Sequence, residues 1–142
     1  MTQETIYDPI RKQYVVATPE EVVRQGIIHA MLQMGYPIPL IAVEKKLSEI
    51  CQLSGVKPPA RRMDVVCFSR KDHKPLLMIE CKATKITQKA LLQVMGYNRF
   101  VNAPFIALCS AQETVMAYWD IQKGDYIFLD HFLSYNQLLS AL

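Results

Sequence analysis

Asp64, Glu80 and Lys82 are the residues of this chain whose types and spacing could do chemistry. Glu80 and Lys82 stand one residue apart inside the apolar run "PLLMIECKAT", and Asp64 interrupts a second one, "RRMDVVCF". Charged side chains are rarely buried unless paired or coordinated, because desolvating an ion is costly. Both runs read as strands. Alternate strand residues share a face, so Glu80 and Lys82 point the same way with Cα atoms about 7 Å apart, while Cys81, Ile79 and Leu77 point to the other face. An antiparallel pairing across the polar turn "RKDHK" would set Asp64 opposite Glu80, Cys67 opposite Leu77 and Phe68 opposite Leu76. Two converging carboxylates repel unless a hard cation lies between them, and Mg²⁺ commonly takes one or two carboxylates plus waters and a phosphate. Lys82 would then stand beside the metal, placed to orient or deprotonate a water or to stabilise charge on a phosphate oxygen. The same residues admit a plainer account, in which Glu80 and Lys82 pair with charges on neighbouring strands and Asp64 caps a turn.

Positioning these groups requires a sheet and its supporting helices. Thr18, Pro19 and Glu21 form a helix start with a Thr-x-x-Glu capping box, and Val23, Ile27, Ala30, Met31 and Met34 continue one apolar face to Gly35. "LIAVEKKL" suits a strand running from interior to surface, and "SGVKPPARR" is a turn-rich basic connection. After the hairpin, Thr87 caps a helix over "QKALLQVMGYNRFV". "APFIALCS" and "TVMAYWDI" read as strands, "DYIFLD" as an edge strand, and "HFLSYNQLLSAL" as a terminal helix opened by His131. The order predicts a single α/β domain over residues 1–142, with a mixed central β-sheet flanked by helices on both faces.

The net charge of +3 is unevenly placed. Residues 57–89 carry nine Lys/Arg against three Asp/Glu, a balance of +6, while the segments before and after are slightly acidic. A basic stretch around the motif suggests a polyanionic partner such as nucleic acid, although solvated loop lysines would give the same count. Cys51, Cys67, Cys81 and Cys109 lie far apart without CxxC or paired Cys/His spacing, which speaks against zinc and for free thiols in a reducing compartment. His29, His73 and His131 have no nucleophile at triad spacing. "MTQETIYDPIRKQ" has no hydrophobic signal region and no apolar run reaches the ~18–20 residues of a membrane span, so a cytoplasmic protein is expected.

Asp64, fifteen intervening residues, then Glu80-Cys81-Lys82 resembles the D-x(n)-(D/E)-x-K signature of the PD-(D/E)XK nuclease superfamily. "YDPIRKQYVVATPEEVVRQGIIHAML", "GYPIPLIAVEKKL", "RRMDVVCF" and "KPLLMIECKA" together resemble the N-terminal nuclease domain of type I restriction enzyme R subunits, across Tyr7 to about Leu129. The resemblance implies a restriction-endonuclease-like fold and Mg²⁺-dependent DNA cleavage, with Mn²⁺ as a substitute. It implies Asp64 and Glu80 as metal-binding catalytic carboxylates, Lys82 as catalytic lysine and the Cys81 backbone carbonyl as a further metal ligand. Gln93 and Tyr97 match a supporting Q-x-x-x-Y element whose spacing puts both on one helix face. Glu21 matches a helix glutamate that in some members completes the metal site, a position its capping role explains equally well; Glu44 is a weaker match. Met63 stands where the superfamily name has proline, and no P-loop or helicase motif appears up to Leu142.

The expected function is therefore a Mg²⁺-dependent endodeoxyribonuclease of the restriction-modification type without the helicase motor. Arg61, Arg62, Lys85 and Lys89 are candidates for phosphate contacts. The expected partners are DNA and either a second copy of the chain or a separate motor or specificity subunit. The alternative is a catalytically quiet nucleic-acid-binding or assembly module with the same fold.

Overall fold

The computed structural model describes residues 3–142. A short hairpin, β1 (Thr5–Asp8) and β2 (Gln13–Val16), precedes helix α1 (Pro19–Gln33). A 3₁₀ turn at Ile38–Leu40 leads into β3 (Ile41–Lys46) and the single-turn helix α2 (Leu47–Ile50). Then come β4 (Arg62–Phe68), β5 (Pro75–Cys81), α3 (Gln88–Val101), β6 (Phe105–Cys109), β7 (Thr114–Asp120), β8 (Asp125–Leu129) and α4 (Tyr135–Ser140). Six strands form one sheet in the order β3-β4-β5-β6-β7-β8. Only β5 and β6 run parallel, and α3 makes the crossover between them. This is the mixed sheet flanked by helices that the element order predicts.

Burial explains the layering. All seven residues of β5 and all five of β6 are buried, as central strands covered on both faces must be. On one face, Ile27, Ile28 and Met31 of α1 and Tyr135 and Leu138 of α4 pack on Val65, Leu77 and Ile79. On the other, Leu47 and Ile50 of α2 and Ala90 and Val94 of α3 pack on Val66, Met78 and Ile106. Thr18 and Thr87 cap α1 and α3, their hydroxyls accepting from Glu21 N and Ala90 N at 3.1 Å.

Several expectations are corrected. "LIAVEKKL" is strand only to Lys46, because Leu47 turns its side chain into the core at the start of α2. The β4–β5 register places Cys67 opposite Leu77, but an irregularity between Cys67 and Phe68 sets Phe68 opposite Pro75 instead of Leu76. Leu76 and Leu77 thus both reach the core under α1. The last helix begins after Ser134, which caps it, and His131 lies in the preceding loop, its ring bonded to Asp130. The capping box at Thr18 is half made, since Glu21 turns its carboxylate to other partners described below.

The C-terminal segment is tied across the sheet end by Tyr135. Its hydroxyl donates to Phe68 O at 3.0 Å and accepts from Arg70 N at 2.9 Å, with the side chain fully buried. Tyr135→Phe removes both bonds without changing the packing. It is expected to lower unfolding stability by ~1–3 kcal/mol in urea titration, mostly through the unpaired Arg70 N–H and Phe68 carbonyl.

Candidate active site

Antiparallel β4 and β5 bring the start of one strand beside the end of the other, so Asp64 and Glu80 meet where the two begin to part. The ladder between them runs from Phe68 to Val65 and then stops. Beyond it, Asp64 Oδ2 accepts from Cys81 N at 2.7 Å, a side-chain oxygen taking the place of a backbone carbonyl. On the other flank, Val43 pairs with Val65 and Lys45 with Met63, but Glu44 and Asp64 between them do not pair. Glu44 has φ +55, a left-handed conformation uncommon for a non-glycine residue in a strand. The alternation of faces also breaks here: Val65 packs under α1, whereas Met63 and Val66 both pack under α3. Strain of this kind concentrates at functional sites.

Asp64 and Glu80 are only 6% and 8% exposed, and their carboxyls lie against each other. Burial, then the hydrogen bond and charge of Asp64, push the Glu80 carboxyl up to about 9, while Lys82 and Arg61 pull it the other way. Near neutral pH Glu80 therefore keeps its proton, held against Asp64. Lys82 is half-buried, its backbone N–H fixed to Cys109 O at 2.8 Å on the β6 side. Among the described residues its ammonium has no carboxylate within 4.0 Å. Within a strand, a residue's N–H and C=O project to the same side. The Cys81 carbonyl therefore faces the β4 side, with the N–H that Asp64 accepts from. Burial raises the Cys81 thiol well above its ordinary range, consistent with an inert side chain beneath α1.

Helix α1 supplies a second layer around Asp64, most of which no motif in the sequence marks. Arg24 Nη2 donates to Asp64 Oδ1 at 2.9 Å, and Arg24 Nη1 reaches Glu21 at 3.1 Å and Glu44 at 3.5 Å. Burial works against the Arg24 charge, but Asp64 and Glu21 hold it protonated more firmly than usual. Glu21 is occupied by Arg11 at 2.8 Å, Arg24 and Gln25, so its carboxylate braces the arginines. The glutamate of α1 beside the pair is Glu20, an exposed residue whose carboxyl is pushed up by partial desolvation and by the neighbouring Asp64 charge, with Lys82 close enough to oppose the shift. Glu20 and Arg24 are four residues apart and share a helix face. Arg24 shares its face with Ile27, Ile28 and Met31 on one side and with Glu20 and Glu21 on the other, so no local pattern marks it as a buried charge.

The remaining candidates flank this centre. Arg61 and Arg62 are exposed at the entry to β4, and the Arg61 guanidinium lies 5.5 Å from the centre of the Tyr97 ring. Gln93 sits one turn before Tyr97, exposed, with no side-chain hydrogen bond among the described residues. Lys85 and Lys89 are exposed on the other flank, in the loop before α3 and in its first turn.

A metal ion fits this donor set in kind. Two buried carboxylates crowd each other and a carbonyl faces them, which suits a cation such as Mg²⁺ that keeps several waters. Among the described residues no cluster of three or more His, Cys, Asp and Glu side chains is arranged to hold an ion, so the carbonyl and waters would complete the shell. Beside the bonds from Arg24 and Cys81 N, each Asp64 oxygen has one further lone pair, and the one that accepts the Glu80 proton becomes available when that proton leaves.

The family model described as "Type I restriction enzyme R protein N terminus (HSDR_N)" matches residues 19–132. No curated protein matches the chain at significance. Among solved structures, a fragment assigned as an HsdR subunit of a type I restriction enzyme from Vibrio vulnificus YJ016 superposes with TM-score 0.57 at 16% identity. The alignment covers 87% of this chain and 24% of that one, so the chain spans about a quarter of the fragment's length. The type IIG restriction endonuclease BpuSI aligns with TM-score 0.48 at 19% identity, over 87% of this chain and 15% of that one.

Proposed function

Because the chain belongs to the family of type I restriction enzyme R protein N termini, we propose that it is a metal-dependent nuclease that hydrolyses DNA phosphodiester bonds in the PD-(D/E)XK manner. The observation that carries this reading is the buried Asp64–Glu80 pair at the parting of β4 and β5, with Lys82 beside it. Asp64, Glu80 and the Cys81 carbonyl would hold Mg²⁺ or Mn²⁺, with Glu20 the nearest further carboxylate. When bound, a divalent cation neutralises the two carboxylates and acts as a Lewis acid toward a phosphate oxygen.

The chain's own residues divide the rest of the work. Cys81 N–H and Arg24 fix both oxygens of Asp64, so its carboxylate cannot rotate away. Glu80 must give up its proton before both carboxylates can bind a cation, which ties metal binding to proton release. Lys82, without a carboxylate partner, is free to orient the attacking water or donate to the phosphate as charge builds on it. Arg61, Arg62, Lys85 and Lys89 flank the centre on two sides, where backbone phosphates of a bound duplex would pass.

One observation favours a second reading, the quiet module. Arg24 already satisfies Asp64, and an ion pair of this kind can stand in for a metal. Isothermal titration separates the two readings. Binding of Mn²⁺ that is lost in Asp64→Ala, together with plasmid cleavage in Mg²⁺ or Mn²⁺ that is lost in Lys82→Ala, supports the nuclease. Absence of both in the wild type would leave the module.

A further inference from the structure

A cleft of about 390 Å³ opens beside the parted strands, between the end of β3 and the loop that enters β4. Lys46, Lys57, Arg61 and Arg62 line it together with Pro58 and Pro59. Arg61 and Arg62 are visible as basic neighbours in the sequence, but Lys46 joins them only through the fold, paired with Arg62 across β3 and β4. Among the described residues none of the four cations has a carboxylate within 4.0 Å. Glu49, at the same corner, is engaged by Lys45 Nζ at 3.6 Å and by the Lys46 backbone N–H at 3.0 Å.

Four like charges at one cleft repel one another, and an anion between them relieves that repulsion. The cleft is also held in shape. Arg61 N donates to Pro59 O at 2.9 Å, Arg61 O accepts from Leu47 N at 2.9 Å, and its guanidinium lies over the Tyr97 ring. The two prolines fix φ along the opposite wall. Less side-chain and loop freedom is then lost when a ligand binds. Arg62 is two residues from Asp64, roughly 7 Å along the strand. Each DNA strand carries a phosphate about every 3.4 Å of helix axis, so phosphates in this cleft would be close neighbours of one at Asp64 and Glu80.

We propose that this cleft grips the DNA backbone through phosphates flanking the bond to be cut, which rests on the nuclease reading for its substrate. The contact is with phosphate oxygens and is indifferent to base sequence. Lys46→Gln with Lys57→Gln tests it without touching the Asp64–Glu80–Lys82 centre, and both side chains are exposed, so the fold is not at stake. Binding of a labelled duplex is followed by anisotropy in EDTA, where no cleavage intervenes, over a series of salt concentrations. Each phosphate neutralised contributes about 0.9 to the slope of log K against log salt. The double variant is expected to lower that slope by about 1–2 and to weaken binding at least ~10-fold at fixed low salt, equally for unrelated sequences. Lys71→Gln with Lys74→Gln removes the same charge from the β4–β5 turn, at the other end of those strands, and is expected to leave the slope unchanged.

An unaltered slope in the Lys46/Lys57 variant, an equal loss in both double variants, or a wild type without salt-dependent binding would each overturn the proposal. Failure of the nuclease reading looks different. The wild type would bind and the cleft variant would lose slope as expected, yet no metal would bring about cleavage.

Discussion

Lys82→Ala is expected to slow DNA cleavage in Mg²⁺ by about 10²–10⁴-fold, the range for loss of a positioned proton-transfer or charge-stabilising group. Melting temperature and duplex affinity in EDTA should hardly move. The reason is structural: the bond that holds Lys82 in the sheet is its backbone N–H to Cys109 O, which alanine keeps, and its ammonium has no carboxylate partner to strand. Asp64→Asn should behave differently although it also removes a candidate catalytic group. Asp64 accepts from Arg24 on one oxygen and from Cys81 N on the other, and an amide must turn its NH₂ donors toward one of these donors. A stability loss of ~2–4 kcal/mol is expected along with the loss of metal binding. Lys82→Arg refines the first result. A guanidinium keeps the charge but does not release a proton near neutral pH, so partial activity would assign Lys82 to charge stabilisation and full loss to proton transfer. Cleavage by Lys82→Ala at the wild-type rate would remove Lys82 from the mechanism.

Why Lys82 and Asp64 were legible in the sequence, and Arg24 and Glu20 were not, has a physical explanation. A charge inside a run such as "PLLMIECKAT" is conspicuous because strand alternation is simple and the run is otherwise wholly apolar. The hairpin turn then fixes register closely enough to place Asp64 against Glu80, and only the irregularity at Phe68 escapes. On α1 the polar face and the site-facing face overlap, so Arg24 and Glu20 look like an ordinary solvated helix surface. What distinguishes them is the tertiary approach of Asp64, which no local pattern encodes. Glu21 shows the same limit from the other side: a capping position explains the residue in sequence, yet its carboxylate is drawn to Arg11, Arg24 and Gln25, which arrive from the hairpin and the next helical turn. The cleft at Lys46 likewise depends on strand pairing, since its four cations come from two segments more than ten residues apart.

Glu80→Gln should make the metal-free protein more stable in mildly alkaline solution while abolishing metal binding. Burial and the adjoining Asp64 push the folded-state carboxyl up to about 9, whereas in the unfolded chain a glutamate titrates at about 4.3. Below the unfolded value the group is protonated in both states, and its contribution to stability is fully present. Between the two values only the unfolded state releases the proton, so the folded state binds more protons and stability falls as pH rises. The contribution is gone once the pH passes the folded value. Glutamine carries no titrating proton, and its NH₂ can donate to Asp64 as the protonated carboxyl does. Urea midpoints in EDTA should therefore converge for the two proteins near about pH 4 and diverge in favour of Glu80→Gln toward about pH 8. Parallel pH curves would show that Glu80 titrates normally and that the pair is not crowded. Saturating Mg²⁺ should reverse the order, because a ligand that binds only the folded state stabilises it and the variant has lost a ligand. A carboxylate kept at a cost to the empty fold, and repaid only when a cation enters, is what separates a metal site from an internal ion pair; an Arg24–Asp64–Glu80 network built for structure alone would show no such reversal.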